Sequence, residues 1–238
     1  MSTLSASNPI GILLESTQKI SPTLISYDIG SLCELFVYTT LKKAKNHFGK
    51  IFLLSFYDAF HIIYQYWKIN LSDDAINETM QNIEIISVNS LYADSIRAKI
   101  NIMTTAPSRL ITDISSRIEE ELEEGKHILL FFIGLDLYAL NKGEDEFRKL
   151  FSLLMLLANK IENVSVATIL NKNLFSSKTV EFLNSYSFNV VHLKADVIGF
   201  DVKYYIEFKR VAMLKYNLNV WEYKPLENTI KFIKKRIG

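Results

Sequence analysis

The chain reads as an α/β protein whose mostly parallel sheet is covered on both faces by helices. Three observations lead there. Short apolar runs alternate along the sequence with helical patterns. Several of those runs are continuously apolar, most clearly Leu129-Leu130-Phe131-Phe132-Ile133. A strand of that kind is buried on both faces, as in a parallel sheet between helix layers. Finally, Tyr204–Lys209 and Asn219–Tyr223 lie close together in sequence and read as an antiparallel pair ending the sheet.

Taken in order, Met1 to Pro9 is small and polar and reads as a loose terminus. A strand over Leu24–Tyr27 passes through the turn Asp28-Ile29-Gly30-Ser31 into a helix over Leu32–Lys45. Strands follow at Ile51–Ser55 and Ile83–Val88, with a helix over Ala59–Ile69 between them. From Ser87 to Ala106 the pattern is too weak to assign. A helix over Pro107–Glu124 ends in Glu119, Glu120, Glu121, Glu123 and Glu124, which oppose the helix dipole slightly. They read as a solvated face in preference to a partner-binding patch. Then come strands at Ile128–Ile133, Val164–Leu170 and Asn189–Leu193, interleaved with helices over Asp145–Glu162 and Ser176–Tyr186. Residues 224–238 read as an amphipathic closing helix over Leu226–Ile237, with Leu226, Ile230, Ile233 and Ile237 on one face and Lys231, Lys234, Lys235 and Arg236 on the polar side. A partner groove or DNA could use it, although the dipole alone accounts for bases there. With 49% hydrophobic residues, no repeat and no proline-rich linker, residues 1–238 are expected to form a single domain.

The 27 basic and 26 acidic side chains nearly cancel, and nothing in that balance suggests a dedicated nucleic-acid or membrane-surface protein. A single cysteine, Cys33, rules out a disulfide framework within the chain and fits a reducing, cytoplasmic setting. The first ten residues lack a basic signal region, and no apolar run reaches the ~20 residues of a membrane span. Ile128 to Leu140 is interrupted by Gly134 and Asp136. His47, His61, His127 and His192 show no metal-ligand spacing and read as surface or boundary packing. There is no G-x-S-x-G elbow, and Gly30 has no second glycine near it for a dinucleotide fingerprint. Tyr64, Tyr66, Trp67 and Lys68 could stack bases, but such aromatics more often pack a helix onto a sheet.

Four segments carry a resemblance: the strand–turn–helix of Pro22 to Lys45, Leu54-Ser55-Phe56-Tyr57-Asp58, the strand Ile128–Ile133 with Gly134-Leu135-Asp136, and Tyr204 to Met213. In this order they resemble the RecA-like ATPase core, a P-loop NTPase fold, in its KaiC- and RadA-like archaeal branch, over most of the chain from Pro22 to Tyr223. The resemblance implies a RecA-like three-layer sandwich. In that family the first turn holds the triphosphate, yet here Asp28, Ile29, Gly30 and Ser31 stand where glycines, lysine and threonine are expected. Phosphates need close backbone N–H groups and a lysine charge, and an aspartate repels them. Gly30 and Ser31 are the residual cofactor-binding candidates. A capping box of Ser31 with Glu34 is the favoured reading of that turn.

The second segment places Asp58 where the family carries a water-activating glutamate pair, which makes it the candidate general base. Its favoured reading is the N-cap of the following helix. In the third, Gly134 takes the register of the family's magnesium-orienting aspartate. Asp136, two residues or about 6.6 Å further along an extended chain, is the candidate metal ligand if the backbone bends at Gly134. In the fourth, Lys209 and Arg210 match a basic pair that reaches a neighbouring subunit, or are edge charges that block strand pairing. Glu34 to Tyr38 and Ile133 to Asp136 resemble an uncharacterised archaeal family of RecA-like proteins with both Walker motifs degenerate.

The resemblance therefore implies a non-catalytic RecA/KaiC-like protein that acts as an interaction, assembly or regulatory module, without cofactor, as a homodimer or with a protein partner. One alternative is a weak nucleotide-binding protein or ATPase using Asp58 as base, Asp136 for magnesium and Ser31 with the helix terminus for ATP. A second is a DNA-binding recombinase paralogue, by family analogy alone.

Overall fold

Every apolar run singled out in the sequence is a strand in the computed structural model, which describes residues 8–104, 106–119, 121–122, 126–226 and 229–235. The chain runs α1 (Pro9–Lys19), β1 (Thr23–Tyr27), α2 (Cys33–Ala44), β2 (Lys50–Phe56), α3 (Ala59–Asn70), α4 (Asp73–Met80), β3 (Ile83–Val88), β4 (Ile100–Ile102), α5 (Pro107–Glu119), β5 (Ile128–Ile133), α6 (Leu135–Lys142), α7 (Glu144–Lys160), β6 (Val164–Leu170), α8 (Ser177–Tyr186), β7 (Asn189–Ile198), β8 (Asp201–Arg210), β9 (Val220–Leu226) and β10 (Thr229–Lys235).

The strands form one sheet in the order β10-β9-β8-β7-β1-β6-β5-β2-β3-β4. From β7 to β4 all neighbours are parallel, while β8, β9 and β10 continue as an antiparallel meander. Sheet order thus confirms the α/β class and the antiparallel end. β1 lies between β6 and β7, yet the chain leaves β1 for β2 on the far side of β5. Such a reversal opens a crevice at the carboxyl ends of the strands, where open α/β sheets place ligands.

Alternation explains why the central strands are continuously apolar. On β5, Leu129, Phe131 and Ile133 enter the core beneath α1 to α4, while Ile128, Leu130 and Phe132 enter the core beneath α5, α7 and α8. Each face needs its own apolar set, so no position is left for a polar residue. Burying one such leucine or phenylalanine contributes roughly 2 kcal/mol.

Several segments differ from the sequence expectation, among them the helices α4 and α6, which it did not contain. The loose terminus ends before Pro9. Asn8 Oδ1 accepts from Ile10 N at 3.1 Å and Pro9 opens α1, the favoured start of a helix. Ile10, Leu13, Leu14 and Thr17 then share its buried face. The unassigned stretch from 87 to 106 contains β4, whose three residues are too short for a periodicity signal. The acidic helix end stops at Glu119; Glu120, Glu123 and Glu124 lie outside the described residues, and Glu121 is paired with Arg117 and Lys50. The closing helix is instead the strand β10, with Phe232 opposite Tyr223 of β9. Its inward residues Ile230 and Phe232 alternate with exposed Lys231 and Ile233, so a period of two prevails. Thr229-Ile230-Lys231-Phe232-Ile233 satisfies both periods locally, and the unpaired side of β9 decides between them. Arg236 and Ile237 lie outside the described residues. Among the described residues no helix is long and apolar enough to cross a membrane.

Candidate functional site

The crevice is built from the turn after β1. Asp28 N donates to Leu193 O of β7 at 3.0 Å, and Ser31 N donates back to Asp28 O at 3.1 Å. Gly30 sits at φ +83° in open space, so the left-handed conformation, not crowding, calls for glycine. Leu32 follows at φ +56° and begins α2 without a side-chain cap. The capping box of Ser31 and Glu34 is therefore not formed. Ser31 is instead drawn inward: its carbonyl accepts from the Tyr223 hydroxyl of β9, and its own hydroxyl is buried with no partner among the described residues. The antiparallel meander thus pins the turn from behind.

Asp28 faces a polar chain at the top of β1 and β7. Its Oδ2 lies 3.2 Å from His192 Nε2. That nitrogen also meets Lys172 Nζ at 3.0 Å, and His192 Nδ1 meets Ser26 Oγ at 2.9 Å. Ser26 Oγ in turn donates to Val191 O at 3.3 Å. Lysine can only donate, so Nε2 accepts from Lys172 and Nδ1 carries the proton. Burial and the Lys172 charge lower the imidazole pKa, against the opposing pull of Asp28. The sequence reading took His192 for boundary packing. Its one signal was a histidine inside the apolar run Val190-Val191-His192-Leu193, and its partner becomes visible only from the register Ser26↔His192.

Asp58 occupies the residue before α3 at φ +63°, yet does not cap it. Its carboxylate accepts from Ser90 Oγ, from Leu91 N at 3.1 Å and from Tyr92 N at 3.1 Å, and so ties down the loop after β3. The capping bond comes from Ser55 Oγ, which accepts from Phe60 N at 3.1 Å.

Gly134 begins α6 at φ +84°, and an added Cβ would stand 2.6 Å from both Ala59 Cβ and Phe56 O. Only glycine permits that conformation and that approach. Asp136 therefore lies in a helical first turn, not further along an extended chain. Its buried carboxylate accepts from Asn171 N at 2.9 Å and Leu137 N at 3.0 Å, which links β5 to the segment after β6. Burial raises its pKa, and the two amides pull it back. Among the described residues no group of three acidic, histidine or cysteine side chains could hold a metal.

Between these pieces lies a cavity of about 190 Å³, lined by Tyr27, Cys33, Ile63, Ile133, Asp136 and Ile169 among others. Burial pushes the Cys33 thiol well above its ordinary range, so it is a neutral thiol there. Small-molecule sites typically measure ~300–1,000 Å³. The cavity is small and mostly apolar, the wrong size and chemistry for a nucleotide.

Lys209 and Arg210 lie elsewhere. β8 is an internal strand between β7 and β9, so they do not guard a sheet edge. Lys209 pairs with Glu207, and the Arg210 guanidinium donates to the carbonyls of Asn184 and Ser187 at the end of α8.

This architecture is a RecA/KaiC-like fold. Its solved relatives from Pyrococcus horikoshii include a KaiC-like protein, PH0186, with a TM-score of 0.62 and 12% identity over 89% of this chain and 88% of that one. An uncharacterized protein, PH0321, crystallised in complex with an unknown peptide, superposes with a TM-score of 0.65 and 9% identity over 90% of this chain and 91% of that one. A third, PH0250, gives a TM-score of 0.58 and 14% identity over 86% of this chain and 95% of that one. No family model and no curated protein matches the sequence.

ATP and magnesium, which the fold family implies, do not fit these residues. The turn offers no lysine, its aspartate would face the phosphates, and the one hydroxyl is buried behind Tyr223. Asp58 and Asp136 spend their oxygens on backbone amides and a serine.

Proposed function

We propose that the chain is a protein-binding module on a RecA/KaiC-like scaffold that does not hydrolyse ATP. The observation that carries this reading is the Asp28 carboxylate, which stands in the turn that would have to cradle a triphosphate, beside His192 of β7, while the nearby Lys172 is engaged by that histidine. Protein binding is supported by the arm formed by β7 and β8. Beyond Leu193, the last residue paired with β1, β7 continues to Ile198, roughly 16 Å of extended chain. Val197, Ile198, Phe200 and Val202 are all exposed at its tip, with Gly199 at φ +64° making the turn. A contiguous exposed apolar patch marks an interaction surface. The peptide bound to one structural relative points the same way.

The test is an ATPase assay combined with thermal melting. No turnover is expected, and ATP with magnesium should shift the melting temperature no more than inorganic phosphate at the same concentration. Turnover that Asp58→Ala abolishes would overturn the reading. Phe200→Ser should leave folding intact and weaken capture of the partner or the second copy. Unchanged association would remove the arm from the proposal.

A further inference from the structure

The opposite end of the sheet carries a second concentration of charge. Glu84, near the start of β3, is buried. Its carboxylate meets Lys50 Nζ at 3.1 Å, Lys99 Nζ at 3.1 Å and Arg117 Nε at 2.9 Å. Burial alone would raise its pKa, but these three cations hold it at about 2. Arg117 and Lys50 also reach Glu121, at 3.4 and 3.7 Å. Beside them, Arg97 closes the short 3₁₀ turn Asp94–Ile96 at φ +58°, a conformation that costs a side chain and that clusters at ligand clamps. Among the described residues the Arg97 guanidinium makes no ion pair. Lys50, Arg97 and Lys99 line one open cavity of about 380 Å³ with Gln81, Asn82 and Glu84.

Three cations in that lining face one carboxylate, a surplus of two positive charges. Glu84 is buried beneath the lysine heads and holds them in place, while Arg97 and Lys99 are exposed at the mouth. Arg97 presents a planar fork suited to a tetrahedral oxyanion, and Gln81 and Asn82 add neutral donors. We propose that this basal cavity binds a phosphate dianion, free or carried on a small organic group. The charge of the ligand matches the surplus, and the cavity has room for more than the bare ion. The site is independent of the crevice around Asp28, from which it is separated by the length of the central strands, roughly 20 Å.

The experiment is calorimetric titration of the full chain at fixed ionic strength, with inorganic phosphate in one arm and glycerol phosphate in the other. Saturable binding is expected, weakened about tenfold in Arg97→Gln and in Lys99→Gln, since each removes one charge-assisted contact. Glu84→Gln should bind the anion more tightly, because the ligand then supplies the missing negative charge. Should that variant not fold, the two exposed substitutions carry the test alone. Tighter binding of glycerol phosphate assigns an organic phosphate, and tighter or equal binding of inorganic phosphate assigns the free ion. If neither binds below about 10 mM, or if Arg97→Gln and Lys99→Gln bind as the natural chain does, the proposal is overturned.

Discussion

Replacing Glu84 by glutamine removes a buried carboxylate that three cations share. The side chain is only 4% exposed and meets Lys50, Lys99 and Arg117 within 3.1 Å. Burial works against its ionisation, and the three cations more than offset that, lowering the pKa from 4.5 to about 2. At about 1.4 kcal/mol per pH unit that difference corresponds to about 3 kcal/mol of stability at neutral pH. Lys99 is 61% exposed and its share is screened by water, which brings the figure to about 2 kcal/mol. A glutamine also leaves half-buried Arg117 with Glu121 at 3.4 Å in place of the Glu84 charge, a loss that falls short of the ~3–5 kcal/mol of a fully buried pair. Together these set an expected destabilisation of roughly 2–4 kcal/mol. The sign with pH follows from the lowered pKa. The contribution is complete above 4.5 and is lost as pH falls from there toward 2. Urea unfolding of the natural and Glu84→Gln chains at pH 7 and near pH 3 reads it directly. The gap should be wide at pH 7 and narrow at pH 3, because below 4.5 the unfolded chain takes up a proton that the native carboxylate resists until about 2. A gap below about 0.5 kcal/mol at pH 7, or one that does not change with pH, would refute the reasoning.

Other outcomes follow from the same structure. Gly134→Ala should destabilise by about 3 kcal/mol or more in urea unfolding, since it combines a left-handed φ with Cβ contacts of 2.6 Å; a loss under about 1 kcal/mol would mean that the β5–α6 turn can move aside. The lowered His192 pKa makes the fold lose stability as pH falls through 6.5, where the unfolded chain takes up a proton that the native imidazole resists. His192→Gln should flatten that part of the stability–pH curve, and an unchanged slope would count against an imidazole whose pKa is lowered by burial and by Lys172. Tyr223→Phe should cost about 1–2 kcal/mol in unfolding experiments by leaving the buried Ser31 carbonyl unpaired, and a neutral result would mean that water reaches it.

The sequence revealed the layers of this fold but not its polar connections. Strands such as Leu129 to Ile133 were legible because burial on both faces demands an unbroken apolar run, and that demand is local. β10 was misread because its short apolar pattern satisfies helix and strand alike, and only the open side of β9 selects one. At the crevice, sequence order marked the right turns but misassigned what their side chains do. Asp58 stands before α3 as expected, yet Ser55 makes the cap while Asp58 reaches across to residues 90–92. The bend at Gly134 was allowed for, but nothing nearby in sequence shows that it turns straight into a helix against Phe56 and Ala59 and commits Asp136 to backbone amides. Lys209 and Arg210 were read as edge charges or as a pair reaching a neighbouring subunit; the antiparallel partner at Asn219–Tyr223 was legible, but the placement of β7 on the other side of β8 is a matter of topology. For Asp58 and Gly134 the deciding partner lies dozens of residues away, and for β8 and β10 it is a neighbouring strand whose placement is a matter of topology.

The central claim concerns the turn from Asp28 to Ser31, and the most direct test is calorimetric titration of ATP with magnesium on the Arg97→Gln/Lys99→Gln chain, in which the basal cavity is disabled. No saturable heat below about 1 mM nucleotide is the expected result. Saturable binding in that range, weakened by Ser31→Ala or strengthened by Asp28→Asn, would place the triphosphate in the turn and contradict the account.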